Sequence, residues 1–423
     1  MKKIVQLVLT TLLVSFLLVG CTEEPGAALA DGVIDLTFWR PAANEAEDQF
    51  YVDAVAEFNR LNEGSIHVHM EVIPRGDGFA YEDRINVAAT SDSLPDILAL
   101  DGPNVASYAF HGIIVPLNDF FTQAELSDFV PSIIQQGTFG GRLYALGATE
   151  STVILFYNRT LMNEAGITPP DTLENAWTWE EFYEVITTLA TDDVFGTNLI
   201  NDRGEWMTYA FQQFWISNGT NILSADGTTA EGYVNSPEGV EAAYFLQMLA
   251  AQNLFSVDPM PFEFEMGLSA TRLSGPWIIA DFANFDLDWG MTFFPYSKVQ
   301  TSPSGSWCFG VSRNSNHPAE AAEFNRFLTS TENSITLARA INMPPSRVSA
   351  FEAMDEYATM PFRVIADQVV HTSNARPSTP NYPMLTQRFT EALLNIMLGY
   401  DVQENLDSVA RDVDQNFERE YNR

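Results

Sequence analysis

Between Val33 and Val72 the apolar residues change their period twice. Val33-Ile34-Asp35-Leu36-Thr37-Phe38-Trp39 reads as a strand. From about Asn44 the positions Tyr51, Val55, Phe58 and Leu61 recur at helical spacing, and Gly64 stops the run. Asn44 and Glu47 stand three apart, the spacing of a capping box at the start of that helix. Ile66, Val68, Met70 and Val72 then alternate with His67, His69 and Glu71, which is strand periodicity. Strand, helix and strand in this order specify a βαβ unit, and with it an α/β fold in which helices cover a sheet. The same grammar recurs downstream. Pro95 to Leu100 is a short buried-strand signal that ends in the turn Asp101-Gly102-Pro103. Thr178 and Glu181 form a second capping box ahead of Phe182, Val185, Ile186 and Leu189. Pro318 opens a helix through Phe324, Phe327 and Leu328. Two helical runs close the chain, one from Leu385 to Ile396 and one from Val402 to Val413, with Gly399 between them. No internal repeat or low-complexity tract is present.

Residues 1–20 carry Lys2 and Lys3 ahead of an apolar stretch from Ile4 to Val19, the pattern of a secretory signal. The stretch ends in Leu18-Val19-Gly20-Cys21, which resembles the lipobox of bacterial lipoproteins. The resemblance implies cleavage before Cys21 and attachment of a diacylglyceryl group to its thiol. Each buried CH₂ of such chains contributes about 0.8 kcal/mol, so several chains hold a protein at a membrane durably. Thr22 to Asp31 is small and polar and reads as a flexible tether. The rest of the 423 residues is too long for one ordinary core and predicts two lobes. With Cys21 lipidated, Cys308 is left without a disulfide partner and reads as a buried strand residue. The formal charge is −35, and Lys298 is the only lysine after the signal. Such a chain repels nucleic acid and anionic headgroups, which sets DNA binding aside.

Beyond the lipobox, an ordered series of segments is similar to the family 1 extracellular solute-binding proteins of ABC importers, the group that includes maltose-binding protein. It runs from Leu36-Thr37-Phe38-Trp39 and Phe58-Asn59-Arg60 to Leu94-Pro95-Asp96-Ile97 and Gly112 to Leu117. The longest piece is Gly141 to Leu146 and Leu155 to Asn158, leading to Thr178-Trp179-Glu180-Glu181-Phe182. Gly275-Pro276-Trp277, Gly310-Val311-Ser312, Pro318 to Phe324 and Met343-Pro344-Pro345 complete it. The resemblance implies a two-lobed, type II periplasmic-binding-protein-like α/β fold, with a ligand cleft between lobes joined by hinge strands. Residues 32–148 plus 291–342 would form one lobe and 149–290 plus 343–423 the other. The crossings would lie near Ala148–Glu150 and Gly290–Thr292, with re-entry near Asn342. The implied protein is a monomer without cofactor or metal that captures a small-molecule ligand, a sugar above all, and delivers it to ABC permease subunits from the outer face of the cytoplasmic membrane or from the periplasm.

A sugar offers apolar C–H faces and a rim of hydroxyls, so its pocket needs flat aromatic surfaces together with carboxylates, amides and arginines. Trp39 and Arg40 end the first strand, where Trp39 either contacts ligand or caps the core. Asp101 could accept two hydroxyl bonds or serve an ordinary Asp-Gly turn. Glu150 stands where maltose-binding relatives place a ligand-contacting glutamate, although one extra residue before Tyr157 leaves either Glu150 or Ser151 facing the cleft. Trp277 sits in the Gly-Pro-Trp loop that carries a stacking aromatic in the resembling family. Trp206 and Tyr209 lie where relatives extend contacts from the second lobe, whereas Trp215 reads as core. Arg376 and Tyr382 flank the rigid loop before the penultimate helix, and Arg376 offers a planar donor fork for adjacent hydroxyls or a carboxylate, or else a surface salt bridge.

Other chemistries find little support. His67 and His69 share one side of a strand, but only three other histidines exist to complete a metal site. There is no Gly-rich loop with Lys and Ser/Thr, no Cys-x-x-Cys, no His-Glu-x-x-His and no Gly-x-Ser-x-Gly. The absence of an adjacent tyrosine pair argues against the iron-binding relatives. Two alternatives to a sugar-binding protein stand: a binding protein for another polar solute, such as a polyamine or glycerophosphodiester, and a surface glycoside hydrolase using two of the 56 acidic residues.

Overall fold

The structure, a computed structural model, describes residues 32–75 and 79–421. Cys21, the leader and the tether lie outside the described residues.

Strand β1 (Ile34–Pro41) buries Leu36 and Phe38 on one face, as its alternation requires. The helix Glu45–Leu61 packs Tyr51, Val55 and Phe58 against that sheet and leads into β2 (Ile66–Ile73), parallel to β1 along its full length. This is the expected βαβ unit. Strand β3 (Ile97–Asp101) pairs with the other side of β1, where Asp96 locks the junction by accepting from the Thr37 amide at 2.9 Å and hydroxyl at 2.9 Å. A short hairpin, β4 (Thr138–Phe139) with β5 (Arg142–Leu143), precedes β6 (Ala145–Gly147).

The chain then changes sheets. Strands β7 (Ile154–Asn158), β8 (Thr271–Ser274) and β9 (Trp289–Thr292) form an antiparallel three-stranded sheet with β7 in the centre. Helices Trp179–Leu189, Glu205–Ser217 and Tyr382–Met397 supply most of the large core beside it. Strand β10 (Ser302–Ser304) leaves this lobe, and β11 (Trp307–Val311) returns to the first sheet, antiparallel to both β3 and β6. The first sheet thus has the order β2-β1-β3-β11-β6. Cys308 is fully buried within β11.

Among the described residues, three segments join the lobes. Residues 148–153 cross from β6 to β7, and residues 293–306 carry the chain back. The return crossing is later than Gly290–Thr292, because β9 stays hydrogen-bonded to β7 as far as Thr292. The third follows the helix Thr331–Ile341, which Asn342 ends in the left-handed conformation at φ 56°. Met343 to Pro345 then runs antiparallel to the first crossing, with the Glu150 amide donating to the Pro344 carbonyl at 2.8 Å. Strand β12 (Ser373–Ala375) lies parallel to β10 beside these crossings. Arg376 follows it directly.

Candidate functional site

The ends of β3 and β11, the crossings and the first turns of two helices converge on a cavity of about 380 Å³. Its walls come from both lobes. Asn44, Glu47 and Tyr51 enter it from the start of the helix Glu45–Leu61, and Asp101 from the end of β3. Glu205, Trp206 and Tyr209 face them from the first turns of the helix Glu205–Ser217, joined by Trp277 and Asp281 from the 3₁₀ turn Pro276–Asn284.

The aromatic wall is a corner. Trp206 and Trp277 stand nearly perpendicular, at 88° with centroids 6.3 Å apart. Tyr209 closes the corner at 6.0 Å from Trp206 and 6.4 Å from Trp277. The indole N–H of Trp206 donates to the Leu199 carbonyl at 2.9 Å, which fixes that ring. Trp277 is only half-buried, and its ring lies over Gly275, where a Cβ would come within 1.8 Å of Cζ3. Trp307 opens β11 opposite Asp101 and adds a second half-buried indole from the first lobe.

The polar wall centres on Arg376. Its Nη1 and Nη2 donate to the two oxygens of Asp101 at 2.8 and 2.6 Å, a two-point bond across the lobes. Nη1 also donates to Glu205 at 2.7 Å, and the guanidinium lies 4.8 Å from the Tyr209 ring centre. Tyr382 and Thr386 donate their hydroxyls to Glu205, the latter at 2.8 Å. Burial works against the charge of Arg376, but Asp101, Tyr382 and Glu205 outweigh it and hold the guanidinium well above its ordinary pKa. Burial raises the Glu205 carboxyl, a push that Arg376 opposes and Asp101 reinforces.

A second buried carboxyl, Glu150, sits under the cavity floor. It accepts from the Ser132 hydroxyl and from the amides of Ser151 and Gly305, each amide at 2.8 Å. Burial raises its pKa against those three donors. Its role there is to tie the first crossing to the second. Ser151 lines the cavity instead, with its hydroxyl 2.6 Å from that of Tyr209. Asn201 completes the second-lobe wall. Arg272 holds its side-chain oxygen at 3.1 and 2.9 Å, and Glu265 anchors Arg272 at 2.5 Å.

The sequence profile of the bacterial extracellular solute-binding proteins matches residues 53–361, which takes in the three-stranded sheet, all of the first sheet but β1, and much of the cavity wall. This chain belongs to that family. As a solute-binding protein it is similar, at 23% identity over 410 residues, to the galactooligosaccharide-binding protein of Bacillus subtilis (strain 168), a match covering 92% of this chain and 91% of the relative. It is 26% identical over 224 residues to the arabinooligosaccharide-binding protein of the same organism, a match spanning 51% of this chain and 49% of that protein. Its fold superposes at a TM-score of 0.79, with 21% identity, on an ABC transporter solute-binding protein of Thermotoga lettingae TMO bound with α-D-tagatose, covering 91% of this chain and all of the other.

Of the site residues expected in this solute-binding protein, the structure gathers Asp101, Trp206, Tyr209, Trp277 and Arg376 around one cavity. Four others do not line it. Trp39 points away, because strand alternation puts it on the face opposite Phe38, where the Arg84 guanidinium covers it at 4.6 Å. Arg40 is buried behind the wall, 4.3 Å from the Tyr51 ring centre and bonded to Asp48 at 2.5 Å. Glu150 lies below the floor and Tyr382 behind Glu205, both fully buried. The missed residues have ordinary alibis in sequence. Glu205 looks like a first-turn acid of a helix, and Trp307 looks like core beside Cys308. Glu47 has the spacing of a capping partner, yet only half the box forms. Asn44 accepts from the Glu47 amide at 2.9 Å, while the Glu47 carboxyl turns to the cavity, 3.9 Å from Arg40. At Thr178 and Glu181 both halves of the box are present.

Proposed function

We propose that this chain captures a mono- or oligosaccharide in the cavity between its lobes and releases it to the permease of an ABC importer. One observation carries the reading. Two half-buried indoles, Trp277 and Trp307, and a rim of carboxylates and amides line a cavity of about 380 Å³ built from both lobes. Indole faces suit the C–H faces of a pyranose, and paired carboxylate oxygens suit its hydroxyls. The volume falls within the range of about 300–1,000 Å³ that small-molecule pockets occupy. Relatives named for galacto- and arabino-oligosaccharides support the class of solute.

Ligand touching both walls favours the closed arrangement of the lobes, with bending in residues 148–153, 293–306 and 342–346. The protein acts by binding and not by turnover. Asp101 and Glu205 are bridged by Arg376, which leaves neither placed as a free acid across a glycosidic bond. A lipid on Cys21 and the tether after it keep a monomer close to its permease, which raises its effective concentration there.

The test is a thermal-shift screen over galacto-, arabino-, gluco- and malto-oligosaccharides and their monomers, followed by calorimetry. At least one sugar raises the melting temperature, and Trp277→Ala weakens that sugar at least about tenfold by removing its stacking face. A flat response to the whole panel, or product formation from any glycan, overturns the reading.

A further inference from the structure

The charge of the cavity wall says more about the solute than its shape does. Five carboxylates line the cavity, Glu47, Asp101, Asp202, Glu205 and Asp281, against two guanidinium groups, Arg75 and Arg376. Arg376 has no fork to offer, since both of its terminal nitrogens are bonded to Asp101 and one of them also to Glu205. Its Nε is buried and has no partner among the described residues, and a lone N–H suits a hydroxyl or ether oxygen but cannot grip a carboxylate at two points. Arg40, the other arginine near the site, is held by Asp48 behind Tyr51. Arg75 lies 5.5 Å from the Trp307 ring centre, at the cavity edge.

Of the five acids, Asp101 and Glu205 are bonded to Arg376 and Glu47 lies 3.9 Å from Arg40, which leaves Asp202 and Asp281. Among the described residues neither Asp202 nor Asp281 has a cation within ion-pairing distance. Asp202 accepts the Gly204 amide at 2.7 Å. Both lie on the second-lobe wall that also carries Trp277. Asp281 feels the charge of Arg272 behind the wall but forms no ion pair with it. An indole face in the same cavity as carboxylates outside any ion pair attracts an ammonium group twice, through its ring quadrupole and through opposite charge. The same wall repels an incoming carboxylate or phosphate and provides no paired donor to offset its desolvation.

The geometry points to a charge filter: the site accepts neutral sugars, favours those bearing an amine, and rejects uronates and sugar phosphates. The inference rests on the sugar-binding reading and deepens it. It also separates two alternatives that the sequence left level, since a glycerophosphodiester would find the Arg376 fork taken and only Arg75, at the cavity edge, to set against the acids.

The experiment uses calorimetry on the intact mature protein with matched series: galactose, galactosamine and galacturonate, their gluco counterparts, and the galacto-oligosaccharide, chitosan-oligosaccharide and oligogalacturonate forms of two to four units. The amine binds about five-fold tighter than the neutral sugar at low salt, the margin shrinks at high salt, and the uronate gives no measurable heat. In Asp202→Asn with Asp281→Asn, the ratio of amine to neutral-sugar affinity falls toward one, whatever the neutral sugar itself loses, and uronate binding becomes measurable. Uronates that bind as tightly as neutral sugars overturn the filter and leave the sugar reading intact. An amine margin that survives both substitutions also overturns it. Failure of every series, neutral sugars included, overturns both.

Discussion

Arg376 shows how much a residue's role depends on what it faces. As a planar donor fork on a loop it suits a ligand, and in the fold it is the bridge between Asp101 of the first lobe and Glu205 of the second. Replacing it with methionine keeps volume but leaves two buried carboxyls without their cation. Breaking a buried pair in this way costs about 3–5 kcal/mol. Urea unfolding of Arg376→Met is therefore expected to show a loss of that size, and adding Asp101→Asn with Glu205→Gln is expected to recover part of it. A loss confined to ligand binding, with the unfolding midpoint unchanged, would return Arg376 to the role of a ligand donor. Sequence marked Asp101 and Arg376 as candidate ligand contacts, but nothing in the chain says that residues 275 apart meet. Long-range charge pairs leave no local periodicity. Strand parity, by contrast, was legible in principle: Trp39 and Arg40 are neighbours, so they cannot share a face, and both lie off the cavity for different reasons.

Among elements, the turn at Gly275-Pro276-Trp277 sets the angle of the stacking surface. Gly275 has an ordinary φ of −82°, so its need for glycine is steric and not conformational. A Cβ there would come within 1.8–2.2 Å of three atoms of the Trp277 ring. Gly275→Ala is expected to push the indole off its seat and weaken a sugar found by the screen about tenfold, or about 1.4 kcal/mol. Calorimetry reads the affinity, and the tryptophan emission maximum reads the displaced ring. Unchanged affinity would mean that the loop yields and that the ring's seat does not depend on it. Elements whose signals were local came through in the sequence, among them the βαβ unit and the capping box at Thr178. The exception is instructive. Asn44 and Glu47 carry the same spacing, yet the cavity claims the Glu47 carboxyl, because an acid beside Arg40 and Tyr51 has partners that the helix end alone does not supply.

At the scale of the whole molecule, two lobes were foreseeable from length and from the ordered family segments, while the later return crossing was not, since β9 is short and its pairing with β7 is a tertiary fact. The seam between the lobes carries its own titration. Glu82, on the helix Ala80–Thr90, lines a cavity of about 140 Å³ shared with Asp83, Asn104 and Tyr108 of the first lobe and with Pro383, Thr386 and Gln387 of the second. Burial raises its pKa to about 7, helped by Asp101 and Glu205 and opposed by its own backbone hydrogen bond and by Arg75. The unfolded chain releases this proton near 4.5, so between 4.5 and about 7 the folded protein holds a proton that the unfolded chain has lost. The contribution to stability is complete below 4.5 and disappears as pH rises through 7. Glu82→Gln removes the titration while keeping the shape. Relative to that variant, the wild type is expected to lose about 1–3 kcal/mol between pH 5 and pH 8, read as the difference in urea unfolding free energy. Because the groups that set this pKa come from both sides of the cleft, separating the lobes would relieve the burial of Glu82. Proton uptake on ligand-driven closure, measured by calorimetry in buffers of different ionisation enthalpy near pH 7, is the companion readout. Parallel pH profiles for wild type and Glu82→Gln would remove Glu82 from the seam's energetics.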